Sequence, residues 1–336
     1  MENNKAFFGL PSHVKFCKKC VISNQRPSST VEFNSSRNDK KEVINFNKDG
    51  ICSACVYHDS KSTNINWKER ENQLVNLLNK FKSDDGSYDV IVPGSGGKDS
   101  AFTSHILKYK YGMNPLTVTW SPHLYTDIGW KNMQNWSHVG GLDNILYTPN
   151  GKLHREMTKN AFHNLLHPFQ PFIVGQRIIG PAMAKRFGVK LVMYGENQAE
   201  YGNNIEDNIN PLMKMDFFST DNIEEMKFGG VKMKDYIKDG KYKINDFAPY
   251  IPPEKKDLID RGIEVHYLGY YVPWDPQECY YYASENTGFQ ANPVRTEGTY
   301  SKYSSIDDKI DPFHYYTTLI KFGIGRCTYD ASQEVR

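Results

Sequence analysis

The sequence predicts an α/β chain: a doubly wound parallel sheet preceded by a small module built on four cysteines. Three observations predict it. Short β-branched runs alternate with helix-period segments through the middle of the chain, the pattern of strands joined by crossover helices. One run passes into a helix through the glycine-rich turn Ser95–Ser100. Two C-x-x-C knuckles, Cys17/Cys20 and Cys52/Cys55, come before all of this.

The 336 residues are 39% hydrophobic and 24% charged, enough to bury a sizeable core in one large or two smaller domains. A net charge of +2 gives no reason to expect a surface that coats nucleic acid. No apolar run approaches the roughly 20 residues of a membrane helix, and no signal-peptide pattern opens the chain, so a cytoplasmic protein is expected. The expected division is a cysteine module over 1–62, a nucleotide-binding domain over 63–200, and an insertion with a C-terminal substrate-binding part over 201–336.

In a reducing compartment the four paired cysteines are expected to stay thiols. Four thiolates are what a closed tetrahedral zinc site needs, so Cys17, Cys20, Cys52 and Cys55 are candidate Zn²⁺ ligands. An iron–sulfur cluster takes four thiolates as well, and spacing leaves that open. The polar stretch NSSRNDKKE between the knuckles reads as a solvated loop. Cys279 and Cys327 stand alone and are expected to be inert.

A helix is expected over Trp67 to Lys82, with Leu74, Leu77, Leu78 and Phe81 on one face. The run Tyr88 to Val92 is a strand, ended by Pro93 and Gly94, and a helix starts near Asp99. Gly94, Gly96 and Gly97 let backbone N–H groups approach a phosphate closely, and the helix N-terminus adds its partial positive charge there. Ser95 and Ser100 offer hydroxyls, Lys98 a point charge, and Asp99 a ligand for Mg²⁺. Further strands are expected at Leu116 to Trp120, Asp143 to Thr148 and Lys190 to Asn197, with a helix over Gln176 to Phe187. Ligands in such sheets sit at the carboxyl ends of strands, which nominates Thr119, Trp120, Gly195, Glu196 and Asn197 as neighbours of a nucleotide. Glu196 reads equally as an exposed loop carboxylate, and His167 as a substrate contact or a structural histidine. Residues Asn203 to Gly262 lack periodicity and read as an insertion or lid. A strand over Glu264 to Val272, a helix over Asp275 to Glu285 and another over Pro312 to Phe322 complete the chain. The charged stretch Ser301 to Asp311 is either a solvated loop or part of the site. In the second case Lys302 and Lys321 would neutralise phosphate charge and Asp307 would bind Mg²⁺ or the acceptor.

Ser95–Ser100 resembles the S-G-G-x-D-S motif of the PP-loop ATP pyrophosphatases, which split ATP into AMP and pyrophosphate. Across FCKKCVISNQRPSS, GICSACVYH, PGSGGKDS, HPFQPFIVGQ, YGENQAEYGN and the C-terminal FHYYTTLIKFGIGRCTYDASQEVR, the chain resembles the N-acetyl sugar amidotransferases of lipopolysaccharide and pseudaminic or legionaminic acid biosynthesis. The resemblance implies adenylation of an acetamido oxygen on a nucleotide-linked or free sugar, then attack by ammonia to give an acetamidino group. It implies ATP and Mg²⁺ as cofactors and raises the functional reading of Lys302, Asp307 and Lys321, while Glu196 stays a catalytic candidate on topology. No glutaminase nucleophile turn is visible, so a separate glutaminase subunit is the expected ammonia source. A tRNA thiolase is the rival enzyme; such enzymes use further cysteines in the nucleotide domain, and none lies between Cys55 and Cys279. A non-catalytic nucleotide-binding module is the second rival.

Overall fold

The computed structural model describes residues 8–201, 203 and 210–336. Residues 1–7 of the cysteine module and 204–209 of the expected insertion lie outside the described residues. The helices are α1 (Ser53–Thr63), α2 (Trp67–Phe81), α3 (Lys98–Tyr109), α4 (Asp127–His138), α5 (Gly151–Leu165), α6 (Gln170–Phe187), α7 (Met233–Ile237), α8 (Lys255–Asp260), α9 (Leu268–Tyr271), α10 (Pro276–Thr287), α11 (Asp311–Phe322) and α12 (Arg326–Val335). The strands are β1 (Val90–Pro93), β2 (Pro115–Trp120), β3 (Asp143–Tyr147), β4 (Leu191–Tyr194), β5 (Lys227–Phe228), β6 (Val231–Lys232) and β7 (Glu264–Tyr267).

Five strands form one parallel sheet in the order β3-β2-β1-β4-β7, and β5 and β6 form a small separate hairpin. Ile91 pairs with Leu116 on one side and Val192 on the other, so β1 is central. The winding reverses between β1 and β4, and the turn after β1 therefore opens into the crevice where ligands of such sheets bind. Alternation sorts the strand residues between two apolar layers. Val90, Val92, Leu191 and Met193 pack with α2, α3 and α9, while Ile91, Val192 and Val265 pack with α6. Leu74 and Leu78 are fully buried in the first layer, each contributing about 1.5–3 kcal/mol by leaving water.

Four parts of the chain differ from the sequence expectation for identifiable reasons. Helix α6 starts at Gln170 because Pro171 is tolerated in a first turn. Strand β7 ends at Tyr267, and α9 follows because Gly269 must approach the backbone closely: its N–H donates to the Gly195 carbonyl at 2.8 Å. The aperiodic stretch before β7 is a packing layer, with Phe218, Phe228, Phe247 and Tyr250 fully buried against α6 and β2. Its short turns hide the apolar pattern. Helix α12 went unforeseen because it buries polar side chains, Arg326 and Ser332.

The cysteine module is packed into the body. Ile22 and Ile44 share a cluster with Ile324, Phe322 and Tyr329. The Ser332 hydroxyl donates to the Cys20 carbonyl at 2.8 Å. Lys61 on α1 bonds Glu200 at 2.9 Å and the Trp274 carbonyl at 2.8 Å. Among the described residues, no helix is long and apolar enough to cross a membrane.

Candidate nucleotide site and metal centre

The turn after β1 is shaped by what cannot fit. A Cβ on Gly94 would lie 2.1 Å from the Ser100 Cβ, and one on Gly96 would lie 2.9 Å from the Met133 Cα. Gly96 also has φ +79°, which glycine adopts without strain. Gly97 then serves as N-cap of α3 with no side-chain cap, so the first N–H groups of the helix remain for another acceptor. The Ser100 hydroxyl braces the turn on the Gly97 carbonyl at 3.0 Å.

Lys98 is the buried charge of this loop. Burial works against its ammonium, but Asp99 at 2.6 Å and the nearby Glu196 outweigh it and hold the group above its ordinary value. Asp99 keeps about a third of its side chain exposed.

A cavity of about 1370 Å³ opens from this loop. Helix α11 runs along it, presenting Asp311, His314, Thr318 and Lys321 on one face. Near the loop, three carboxylates converge. Burial raises Asp307, against the pull of a hydrogen bond with Ser95. Burial and then the charges of Asp307 and Asp308 push Asp311 up to about 8. Burial also opposes the charge of Asp308, yet its carboxyl ends below the ordinary range because His123 pairs with it: Nδ1 lies at 2.8 Å and the backbone N–H donates at 2.7 Å.

The cavity gathers Ser95, Gly97, Lys98, Asp99, Glu196, Asp307 and Lys321 from the sequence-derived candidates. Pro93, Gly94, Gly96 and Ser100 frame the turn rather than line the cavity. Five candidates stand elsewhere. Lys302 is exposed and reaches the Pro293 carbonyl at 3.2 Å. Thr119 is buried under Asn144, whose amide donates to it at 3.0 Å. Trp120 stacks on Tyr147 with centroids 5.5 Å apart. Gly195 makes room for Trp274, whose ring would lie 2.8 Å from an added Cβ. Asn197 is buried beside Tyr57. The sequence reading missed Glu32, Lys41, Asp311 and His314, which line the cavity, and Asp308 beside them. The Asp311, His314 and Lys321 spacing on one helix was the available signal. Glu32 and Lys41 flank a stretch taken for a solvated loop.

The four module cysteines are 0–2% exposed and their ligand atoms all lie within 4.8 Å of one another. Sulfur separations are 3.6 Å for Cys20–Cys52 and 3.9 Å for Cys17–Cys55. Metal–sulfur bonds of about 2.3 Å in a tetrahedron put sulfurs about 3.8 Å apart, so the donor set fits a single tetrahedral ion. Backbone N–H groups of Lys19 and Cys52 donate to the Cys17 sulfur at 3.4 and 3.3 Å, and Cys52 and Cys55 sit at the N-terminus of α1. Among the described residues no cysteine lines the cavity. Burial raises the Cys279 thiol far above its ordinary value.

No protein-family model matches the chain. An uncharacterized protein of Methanocaldococcus jannaschii is 32% identical over 78 residues, 23% of this chain and 27% of that protein. The chain thus matches only about a quarter of that relative's length. Similar solved structures include the U34-tRNA thiolase NcsA from Methanococcus maripaludis with its [4Fe-4S] cluster (13% identity, 95% of this chain and 86% of that chain, TM-score 0.36). The NMN synthetase from Francisella tularensis has 12% identity over 81% and 93% of the two chains, with a TM-score of 0.34. The NH3-dependent NAD synthetase from Campylobacter jejuni has 16% identity over 59% and 94%, with a TM-score of 0.33. At these TM-scores the likenesses carry no inference about what the chain binds.

Proposed function

We propose that the chain is an ATP-dependent amidotransferase of the PP-loop type, acting on the acetamido group of a sugar. The observation that carries this reading is the loop Ser95–Ser100 between β1 and α3, opening with Lys98 and Asp99 into a cavity large enough for a nucleotide and an acceptor together.

The loop N–H groups and Lys98 would take the phosphates, and Asp99 would hold the Mg²⁺ that accompanies them. Mg²⁺ supplies charge neutralisation on pyrophosphate as it leaves. The acceptor's amide oxygen attacks the α-phosphorus, pyrophosphate departs, and the amide nitrogen gives up its proton. Asp311, raised to about 8, holds its proton at neutral pH and would donate a hydrogen bond to the acceptor, Asp307 would orient the N–H, and the released proton would pass to solvent in the cavity. Ammonia then adds to the imidate carbon and AMP leaves, giving an amidine. A separate glutaminase subunit would supply the ammonia. The ion held by Cys17, Cys20, Cys52 and Cys55 would be Zn²⁺, structural because four thiolates leave no open position. ATP consumption of this kind belongs to the cytoplasm.

A tRNA thiolase shares the adenylation step. The absence of any cysteine among the described cavity-lining residues favours ammonia over a protein-bound sulfur as the second nucleophile. The test is to incubate the chain with ATP, Mg²⁺, ammonium salt and a panel of free, CMP-linked and UDP-linked N-acetyl sugars. The expected result is AMP and a product in which oxygen has been exchanged for NH. AMP release driven by tRNA, with no sugar responding, would hand the function to the thiolase reading.

A further inference from the structure

The cavity has two charged poles. The charged neighbours of Lys98 are Asp99 and Glu196; those of Lys321 are Lys41 and Glu32, and the sets share no residue. Along α11 the ten steps from Asp311 to Lys321 span about 15 Å. Lys321 therefore stands well away from the phosphate loop.

The far pole is assembled from three parts of the chain. Glu32 and Lys41 come from the cysteine module, His167 from the α5–α6 connection, and His314 and Lys321 from α11. Glu32 is engaged by His167, whose Nε2 lies 3.4 Å from its carboxylate. Lys41 and Lys321 both line the cavity, and the Lys321 ammonium lies 5.0 Å from the Phe322 ring centroid. The His314 Nδ1 is buried with no hydrogen-bond partner. Burial, then the charge of Lys41, lowers Lys321 to about 8 against the pull of Glu32, and burial followed by His167 and Lys321 keeps His314 neutral. One carboxylate, Glu32, whose Oε2 makes no hydrogen bond, faces two ammoniums and an unsatisfied imidazole, and the surplus positive charge is costly unless something fills the space. An anionic oxygen group supplies acceptors for both ammoniums, and a neighbouring hydroxyl would satisfy His314.

We infer that this pole is an anion subsite for the acceptor, holding a carboxylate or phosphate on the sugar through Lys321 and Lys41 with His314 on an adjacent hydroxyl. The inference rests on the sugar-acceptor reading for the identity of the ligand, and on the pole's own geometry for the charge it takes.

Three probes separate the sources: N-acetylneuraminic acid carries a carboxylate, N-acetylglucosamine-1-phosphate a phosphate, and N-acetylglucosamine neither. Binding is measured by calorimetry with ATP present to occupy the phosphate loop. One of the anionic sugars should bind at least about tenfold more tightly than the neutral one. Lys321→Gln should abolish that preference, Lys321→Arg should keep it, and the exposed Lys238→Gln should leave it intact. Equal binding of all three sugars, or a preference that survives Lys321→Gln, overturns the subsite. A second readout does not depend on sugars: pyridoxal phosphate followed by borohydride should mark Lys321 or Lys41 first, located by peptide mass. If no sugar binds but this labelling holds, the acceptor reading fails and the anion subsite stands. Labelling spread over surface lysines overturns the subsite.

Discussion

Asp311→Asn should flatten part of the chain's stability profile against pH. Burial and two neighbouring carboxylates raise the Asp311 carboxyl from 3.8 to about 8. Between those values the folded chain holds a proton that the unfolded chain has released. Stability contributed by this group is therefore full below about pH 4, falls as pH rises, and is gone above about pH 8. Four units at about 1.4 kcal/mol each set a ceiling on the order of 5 kcal/mol. Asparagine keeps the shape and cannot ionise, so its penalty does not grow with pH. Urea denaturation followed by tryptophan fluorescence, at steps from pH 5 to pH 9, gives the difference between the two proteins. That difference should widen steadily in favour of the variant and level off near pH 8 to 9. Thiolates and other carboxylates titrate in both proteins and cancel to first order. Parallel curves across the window would refute the placement of Asp311 beside Asp307 and Asp308 in a buried wall.

Gly94→Ala should lower AMP formation by about a hundredfold, since the new Cβ must displace Ser100 and shift the loop; steady-state kinetics check this, and unchanged turnover would show the turn is not the nucleotide site. Lys61→Met leaves Glu200 buried without its partner and should cost about 3–5 kcal/mol in chemical denaturation, well beyond a surface ion pair. Elemental analysis should find one zinc per chain, and its removal by a chelator should lower the melting temperature and sugar binding together, because Glu32 and Lys41 ride on the module. Cys327→Ser, at an exposed thiol, should change neither.

Contiguous chemistry was legible in the sequence, and chemistry assembled across the fold was not. The turn from Pro93 to Ser100 and the two cysteine knuckles declare themselves because ligand geometry demands those residues within a few positions of one another. The rule that ligands gather at strand ends nominated Glu196, which lines the cavity, but also Thr119, Trp120, Gly195 and Asn197, which do not. The rule names an edge of the sheet, while alternation sends successive side chains to opposite faces. Trp120 accordingly stacks on Tyr147 under the sheet, and Gly195 is small because Trp274 needs the space. Asp311, His314 and Lys321 could have been found, since helical spacing puts them on one face, but a helix in a charge-rich region looks solvated until something is known to lie against it. Glu32 and Lys41 could not have been found. Their role follows only from Phe33 being buried in the main core and the Gln170 amide donating to the Glu32 carbonyl at 2.8 Å, which turns a polar loop inward. The cysteine module is then more than a cap on the fold. Its four clustered cysteines lie at the ends of that loop, and the loop forms one wall of the cavity, which is why chelation is expected to weaken acceptor binding.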